Sequence, residues 1–253
     1  MKKRRAFDVI IVGGGLAGLT SAIHLSKQNK QVLLVEKNEY PKHKVCGEYI
    51  SNEVLPYLNS LGIHPINYGA KKITKVHIST IKSNLIKGEL PLGGFGMSRY
   101  FLDDLLVNKA RLNGVQVLKD SVEAIHFKED AFTITTKNAK VFQSKVVVGA
   151  FGKRSSLDKK MNRKFFQKKS PYLAVKIHVK GVFPEDLVAL HNFEGGYCGV
   201  SKVENNAINL CYITEYRLFK KHKTITDFQN QVVFKNEYLR KLFKETTPIF
   251  KQP

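Results

Sequence analysis

Hydrophobic and polar positions change period several times along the chain, and each change marks an element. Phe7 to Val12 is an unbroken apolar run, the pattern of a strand covered on both faces. Leu16, Leu19, Ile23 and Leu25 then form an apolar side suited to a helix packed on a sheet. Val32 to Val35 repeats the strand pattern and Glu36 closes it. Ser51 is placed to cap a helix running to Leu61, with Pro56 as a kink and Gly62 as its stop. Residues 72–92 alternate apolar and polar positions, which predicts half-exposed antiparallel strands carried by an insertion, with Gly93, Gly94 and Gly96 as the turn leading back. Ser98 then caps a helix whose Phe101, Leu102, Leu105, Leu106 and Ala110 recur at helical spacing until Gly114.

Further on, Val115–Leu118 and Val146–Val148 read as core parallel strands flanking a meander of Val122–Phe127, Phe132–Thr135 and Lys140–Phe142. Strands are predicted at Tyr172–Val179, Leu187–Phe193, Tyr197–Val203 and Ala207–Ile213, followed by two or three short helices between Glu215 and Glu245. The expected fold class is therefore α/β. A Rossmann-like dinucleotide-binding domain (residues 1–70 and 96–155) carries an inserted and appended, mainly antiparallel α+β substrate domain (residues 71–95 and 156–253).

The turn after the first strand carries the chemistry. Gly13, Gly15 and Gly18 form G-x-G-x-x-G between a strand and a helix, and an acid ends the second strand. Gly13 permits the sharp turn, Gly15 lets a pyrophosphate approach the backbone, and Gly18 lets the helix lie close on the sheet. The helix start offers unpaired N–H groups and the positive dipole end to phosphate. Glu36 is placed to accept hydrogen bonds from the ribose hydroxyls of an adenosine and to repel a 2′-phosphate, which favours FAD or NAD over NADP.

Composition narrows the picture. The 253 residues suffice for one large domain or two intimate ones. Three cysteines (Cys46, Cys198 and Cys211) form no C-x-x-C, which argues for a reducing compartment and against a disulfide framework or zinc site. The eight histidines show no zinc-type spacing, and His24 is read as packing. No metal site and no nucleophile–base pair is expected. The start, MKKRRAFDVIIVGGGLAGL, mimics a signal peptide, but Asp8 interrupts it, so it reads as a solvated Lys2–Arg5 tag before the first strand of a cytoplasmic enzyme. Net charge is +21, with basic clusters at Lys71, Lys72 and Lys75, from Lys153 to Lys169, and from Lys220 to Lys223. Such charge favours anionic partners. Most of the lysines read as solvated faces; no nucleic-acid module is visible, so a peripheral contact with an anionic membrane surface is the favoured macromolecular alternative, although no strongly amphipathic basic helix marks one.

The chain resembles the p-hydroxybenzoate-hydroxylase-like group of FAD enzymes, and within it the geranylgeranyl reductase family. The likeness rests on DVIIVGGGLAGLTSAIHLSKQNKQVLLVEK, KVCGEYIS, SRYFLDDLLVNKA and VVVGAFGKRSSLD, and covers most of the first 160 residues. It implies FAD as cofactor, held by Gly13, Gly14, Gly15, Leu16, Ala17, Gly18, Glu36, Lys37, Cys46, Gly47, Arg99, Val122, Gly149 and Gly152. Of these, Cys46-Gly47 is the family's loop near the flavin and Arg99 its flavin-binding arginine. NAD(P)H is the implied electron donor. Two departures stand out: Phe151 replaces an aspartate that in relatives helps bind FAD and the nicotinamide cofactor, and no Gly-Asp dipeptide follows Gly152, so the family's later FAD motif is missing and the chain reads as the first two-thirds of such an enzyme.

The expected activity is FAD-dependent oxidation or reduction of a C=C bond in an isoprenoid or polyene-like lipid. Phe193, Tyr197, Val200, Leu210 and Tyr212 are candidates for its greasy pocket, set against their reading as plain sheet core. The alternatives are an FAD monooxygenase acting on an aromatic or polyketide-like substrate, and a non-catalytic FAD-binding fragment.

Overall fold

A computed structural model describes residues 6–153, 155–164 and 170–250; the Lys2–Arg5 tag and Lys169 lie outside the described residues. The chain divides into two compact units, Met1–Lys42 with Tyr100–Lys169, and His43–Arg99 with Ser170–Pro253.

The first unit is built on a six-stranded sheet. Its strands are β1 (Ala6–Val12), β2 (Val32–Glu36), β6 (Gln116–Lys119), β7 (Val122–Lys128), β8 (Ala131–Thr136) and β9 (Val141–Gly149), in the order β6-β2-β1-β9-β8-β7. The four strands β6, β2, β1 and β9 run parallel, and β7 and β8 complete an antiparallel meander. The apolar stretch expected at Val146–Val148 is continuous with the one at Lys140–Phe142. The single strand β9 pairs β8 antiparallel at its start and β1 parallel from Gln143 to Gly149. Helix α1 (Leu16–Lys27) buries Gly18, Leu19, Ala22 and Ile23. Helix α3 (Arg99–Leu112) buries Leu102, Leu106, Val107 and Ala110 and ends at Gly114, whose φ of +83° gives the left-handed stop that glycine tolerates. Phe7, Ile10, Val12, Leu33, Val35, Val122, Ile134 and Leu157, the last from the short helix α4 (Ser156–Lys160), form one buried cluster of this unit.

The second unit is an eight-stranded sheet in the order β14-β10-β13-β12-β11-β4-β5-β3. Its strands are β3 (Tyr49–Ser51), β4 (Lys71–Ser79), β5 (Leu85–Gly96), β10 (Tyr172–Lys180), β11 (Leu187–Phe193), β12 (Gly196–Lys202), β13 (Ile208–Glu215) and β14 (Thr247–Pro248). Every predicted strand of the second half is present. One face is covered by α5 (Tyr216–Phe219), α6 (Ile225–Gln231), a 3₁₀ turn at Val233–Lys235 and α7 (Glu237–Glu245), which bury Phe228, Val233 and Leu239 against Val175, Phe193, Cys198, Leu210 and Tyr212. The rings of Phe193, Tyr212 and Phe228 meet at centroid distances of 6.0–6.3 Å. Burying each such side chain is worth about 1.5–3 kcal/mol. Thr224 and Asn236 cap α6 and α7 through their side-chain oxygens.

Three expectations are corrected. Gly93, Gly94 and Gly96 are not a turn but the end of the long strand β5. A Cβ on Gly94 would lie 2.4 Å from the Tyr49 ring and one on Gly96 1.9 Å from the Lys202 carbonyl oxygen, so glycine serves close packing there. Pro56 does not kink a continuous helix. It lies in the first turn of α2 (Leu55–Ser60), where a missing N–H costs nothing, after a separate 3₁₀ turn at Asn52–Val54. Residues 43–70 cluster with the second unit rather than the first, because β3 pairs with β5.

Candidate functional site

In the first unit the two glycine turns meet. Gly13, at φ +106°, leaves β1, and its amide donates to the Val35 carbonyl at 2.8 Å. The Ala150 amide beyond β9 donates to the Val12 carbonyl at 2.8 Å. A Cβ on Gly13 would stand 2.4 Å from the Ala150 oxygen, and one on Gly18 1.9 Å from the Gly13 oxygen. These two glycines therefore let helix, turn and neighbouring strand close on one another. Gly15 differs: nothing stands within 4 Å of where its Cβ would be. It is the N-cap of α1, its carbonyl receives the Leu19 amide at 2.9 Å, and neither a side-chain cap nor an acid lies in the first turn. Open space before a glycine, facing a helix start with uncapped amides, fits a pyrophosphate.

Glu36 is the second part of this cradle. Its Oε2 accepts the Gly14 amide at 2.7 Å, and its Oε1 accepts the Asn38 amide at 2.9 Å and the Asn38 side-chain amide at 2.6 Å. A carboxylate has about four acceptor positions, so capacity for a ribose hydroxyl remains. Tyr40 completes the arrangement, its hydroxyl donating to the Gly14 carbonyl at 2.6 Å. Burial, with the charges of Glu36 and Asp103, pushes the Tyr40 phenol above its usual range, so it stays a donor. A small cleft of about 70 Å³ is lined by Gly13, Glu36, Lys37, Asp120, Val122 and Phe151 among others. Two carboxylates on its rim disfavour an additional phosphate.

The expected cofactor residues separate by unit. Gly13, Gly14, Gly15, Leu16, Ala17, Gly18, Glu36, Lys37, Val122, Gly149 and Gly152 belong to the first, and Cys46, Gly47 and Arg99 to the second. Gly149 has little free space: a Cβ there would lie 2.9 Å from the Phe151 ring. Gly152, at φ +70°, has nothing within 4 Å.

In the second unit, Cys46 and Gly47 line a cavity of about 480 Å³ on the sheet face opposite the helices, together with Val45, Tyr49, Val76, Leu90, Ala174, Val188, Leu190, Tyr197, Gly199, Val200, Cys211 and Ile213. No charged side chain is among them. Of the five pocket candidates, only Tyr197 presents its side chain to this cavity's sheet face. Val200 borders the cavity, but it pairs with Leu210 and is buried with Phe193, Leu210 and Tyr212 in the core beneath the helices, because strand alternation turns all four to the other face. Burial pushes the Cys211 thiol up to about 11 and the Cys198 thiol higher still, so neither is a nucleophile at neutral pH.

The Cys46-Gly47 wall is held by groups that sequence reasoning missed. The Asn209 side-chain amide donates to the Gly47 carbonyl at 2.8 Å and the Cys46 carbonyl at 3.3 Å. Glu48, only 1% exposed and in the left-handed region at φ +56°, follows directly. Its carboxylate receives the Lys176 ammonium, His178 Nε2 at 2.6 Å and the Arg99 amide at 2.8 Å. Burial raises the Glu48 pKa, but the bonds from His178 and Lys176 outweigh it and hold the group below the usual carboxylate range. One signal was readable: in LAVKIHVK the polar Lys176 and His178 alternate with Val175, Ile177 and Val179, which places both on one face of a strand.

Comparison with known proteins bears on both units. Residues 8–44 match the family described as FAD binding domain. A menaquinone reductase of Mycobacterium tuberculosis is 22% identical over 71% of this chain and 46% of its own length. Among solved structures, halogenase PltM in complex with phloroglucinol and FAD superposes with a TM-score of 0.81 at 16% identity, over 98% of this chain and 59% of that one. A geranylgeranyl bacteriochlorophyll reductase-like protein from Thermoplasma acidophilum gives 0.75 at 19% identity, over 97% and 65%. The chain spans about half the length of the curated relatives it matches. The fold is the one these flavin-dependent halogenase and reductase-like structures share, and the FAD-binding match lies on β1, the glycine turn, α1 and β2. No helix among the described residues is long and apolar enough to cross a membrane.

Proposed function

We propose that the chain is the FAD-binding and substrate-binding part of an oxidoreductase acting on a C=C bond of an isoprenoid or polyene-like lipid. The observation that carries this reading is the 480 Å³ cavity, whose wall is apolar but for a few small polar groups and holds no charged side chain. A charged or strongly polar substrate would lose its hydration there without a partner, whereas a prenyl chain would not. The reductases among the similar proteins agree with it.

Gly13 to Gly18 and Glu36 would hold the dinucleotide, with Lys37, Val122 and Gly152 at its margins. Arg99, Cys46 and Gly47 would serve the flavin end. Bound FAD supplies the redox chemistry, and the protein supplies binding, orientation and exclusion of water. NAD(P)H is the proposed electron source.

The test is to load the protein with FAD and supply a prenyl or polyene lipid anaerobically with a chemical reductant, reading the product by mass. Gain of hydrogen across a double bond supports the proposal. Incorporation of labelled oxygen under labelled O₂ would make the protein a monooxygenase instead. Flavin retention with neither product would leave a binding fragment.

A further inference from the structure

The apolar wall of the cavity does not stop at the cavity. Val76 on β4 and Leu90 on β5 line it, as do Val188 and Leu190 on β11. In register, Val188 lies beside Val76 and Leu190 beside Ile78, while Ile78 faces Ile86 across the β4–β5 ladder. Residues two apart share a sheet face, so Ile78 and Ile86 continue the cavity-lining face along the hairpin. They leave the cavity for solvent: Ile78 is 38% exposed and Ile86 65%, with Ile81 at the hairpin tip 50% and Leu92 58%.

This hairpin is held in place. Ser79 and Thr80 accept hydrogen bonds from the Asn236 side chain at 2.7 and 3.1 Å, and Ser83 accepts the Glu237 amide at 2.9 Å. Residues 71–92 contain five lysines against one acid, Glu89. Lys71 and Lys75 pair with Glu185 and Asp186, whereas Lys82 and Lys87 are exposed next to Ile81 and Ile86, and Lys72 is exposed at the other end of β4. A second protein strand is a poor occupant, because Lys87, Glu89 and Pro91 punctuate the stretch of β5 that would have to accept it. A surface with an apolar interior and a negative rim answers both features.

We infer that the β4–β5 hairpin docks the protein on an anionic phospholipid bilayer: Ile81 and Ile86 enter the acyl boundary, Lys82 and Lys87 meet the phosphates, and the Ile78–Ile86 track leads an apolar chain toward Val76 and Leu90. The last step rests on the proposed lipid substrate; the docking does not.

The experiment is vesicle flotation of the full chain with phosphatidylcholine alone and with added phosphatidylglycerol, at low and high salt. Parallel runs use Ile81→Ser/Ile86→Ser and Lys82→Glu/Lys87→Glu, each checked for unchanged melting temperature and flavin content. The expected result is salt-sensitive flotation with anionic vesicles only, weakened about tenfold or more in either double variant. Parent protein that stays in solution, or variants that float as well as the parent, would overturn it. So would loss of a dimer on replacing the isoleucines, which would assign the face to a second copy. Flotation without lipid turnover would leave docking standing and remove the proposed function; turnover of vesicle-embedded lipid without flotation would do the reverse.

Discussion

The Tyr40 hydroxyl donates to the Gly14 carbonyl at 2.6 Å and stands 1.7 Å from where a Gly14 Cβ would be. The middle glycine of the turn is thus reserved by a tyrosine of the chain itself, not by ligand. Gly14→Ala is expected to destabilise the protein by about 1–3 kcal/mol through overpacking. Tyr40→Phe alone should cost about 1 kcal/mol for the lost hydrogen bond. The double variant should be more stable than Gly14→Ala, since the next ring atom is 3.0 Å away and can yield. Urea unfolding of the three variants decides it, and additive losses would contradict the steric reading.

Gly15→Val separates binding from folding. The space before Gly15 is open, and its φ of −83° is one any residue adopts. The variant should keep its unfolding free energy within about 1 kcal/mol and lose bound FAD. Absorbance of the purified protein with mass identification of the released chromophore reads the second part. Stoichiometric flavin in this variant would remove the cradle as the site.

These two glycines also show what could be read in advance. The roles of Gly13, Gly15 and Gly18 follow from spacing, since strand, turn and helix are adjacent in the chain. The same residue type misled at Gly94 and Gly96, where glycine answers a Tyr49 ring and a Lys202 carbonyl that only tertiary structure brings close. The strands of the second unit were legible as apolar runs. Their facing was not, so Phe193, Val200, Leu210 and Tyr212 were grouped with Tyr197 although they point the other way. The Glu48 network was out of reach for a simpler reason: its partners lie 128 and 130 residues away.

His191 sets an acid limit on stability. Burial, and secondarily the His77 charge, lowers its pKa from 6.5 to about 4. It packs against Tyr238 and lies 2.9 Å from Ser79 Oγ through Nδ1. The unfolded chain takes up this proton near pH 6.5 and the folded one only near 4. Stability from this group is therefore complete above the upper value and is lost as pH falls toward the lower, by roughly 3 kcal/mol in all. His191→Gln should flatten the fall in unfolding free energy across that window. An unchanged slope would mean that other groups carry it.

Lys176 and Glu48 make the sharpest test of how the cavity wall is held. Both are buried, and Lys176→Met would leave the Glu48 carboxylate with His178 and one amide as its remaining partners. Breaking a buried pair from one side costs about 3–5 kcal/mol, because the remaining charge stays desolvated. Removing both charges in Glu48→Gln/Lys176→Met avoids that penalty, so the double variant should lose less than the sum of the singles by about 1–3 kcal/mol. The pH response should change as well. Glu48 titrates below its usual value in the folded state, so its contribution is present at neutral pH and is lost as pH falls through that lowered value. In Lys176→Met this loss should begin at higher pH, because a partner that held the carboxylate ionised is gone. Neither Lys176 nor Glu48 lines the cavity, yet Glu48 follows Cys46-Gly47 directly and fixes that segment. Lys176→Met should therefore also weaken binding of a prenyl lipid to the folded protein, measured well below its unfolding midpoint. Tight binding with full stability loss would show that the network supports the fold alone and that Asn209 suffices to hold the wall.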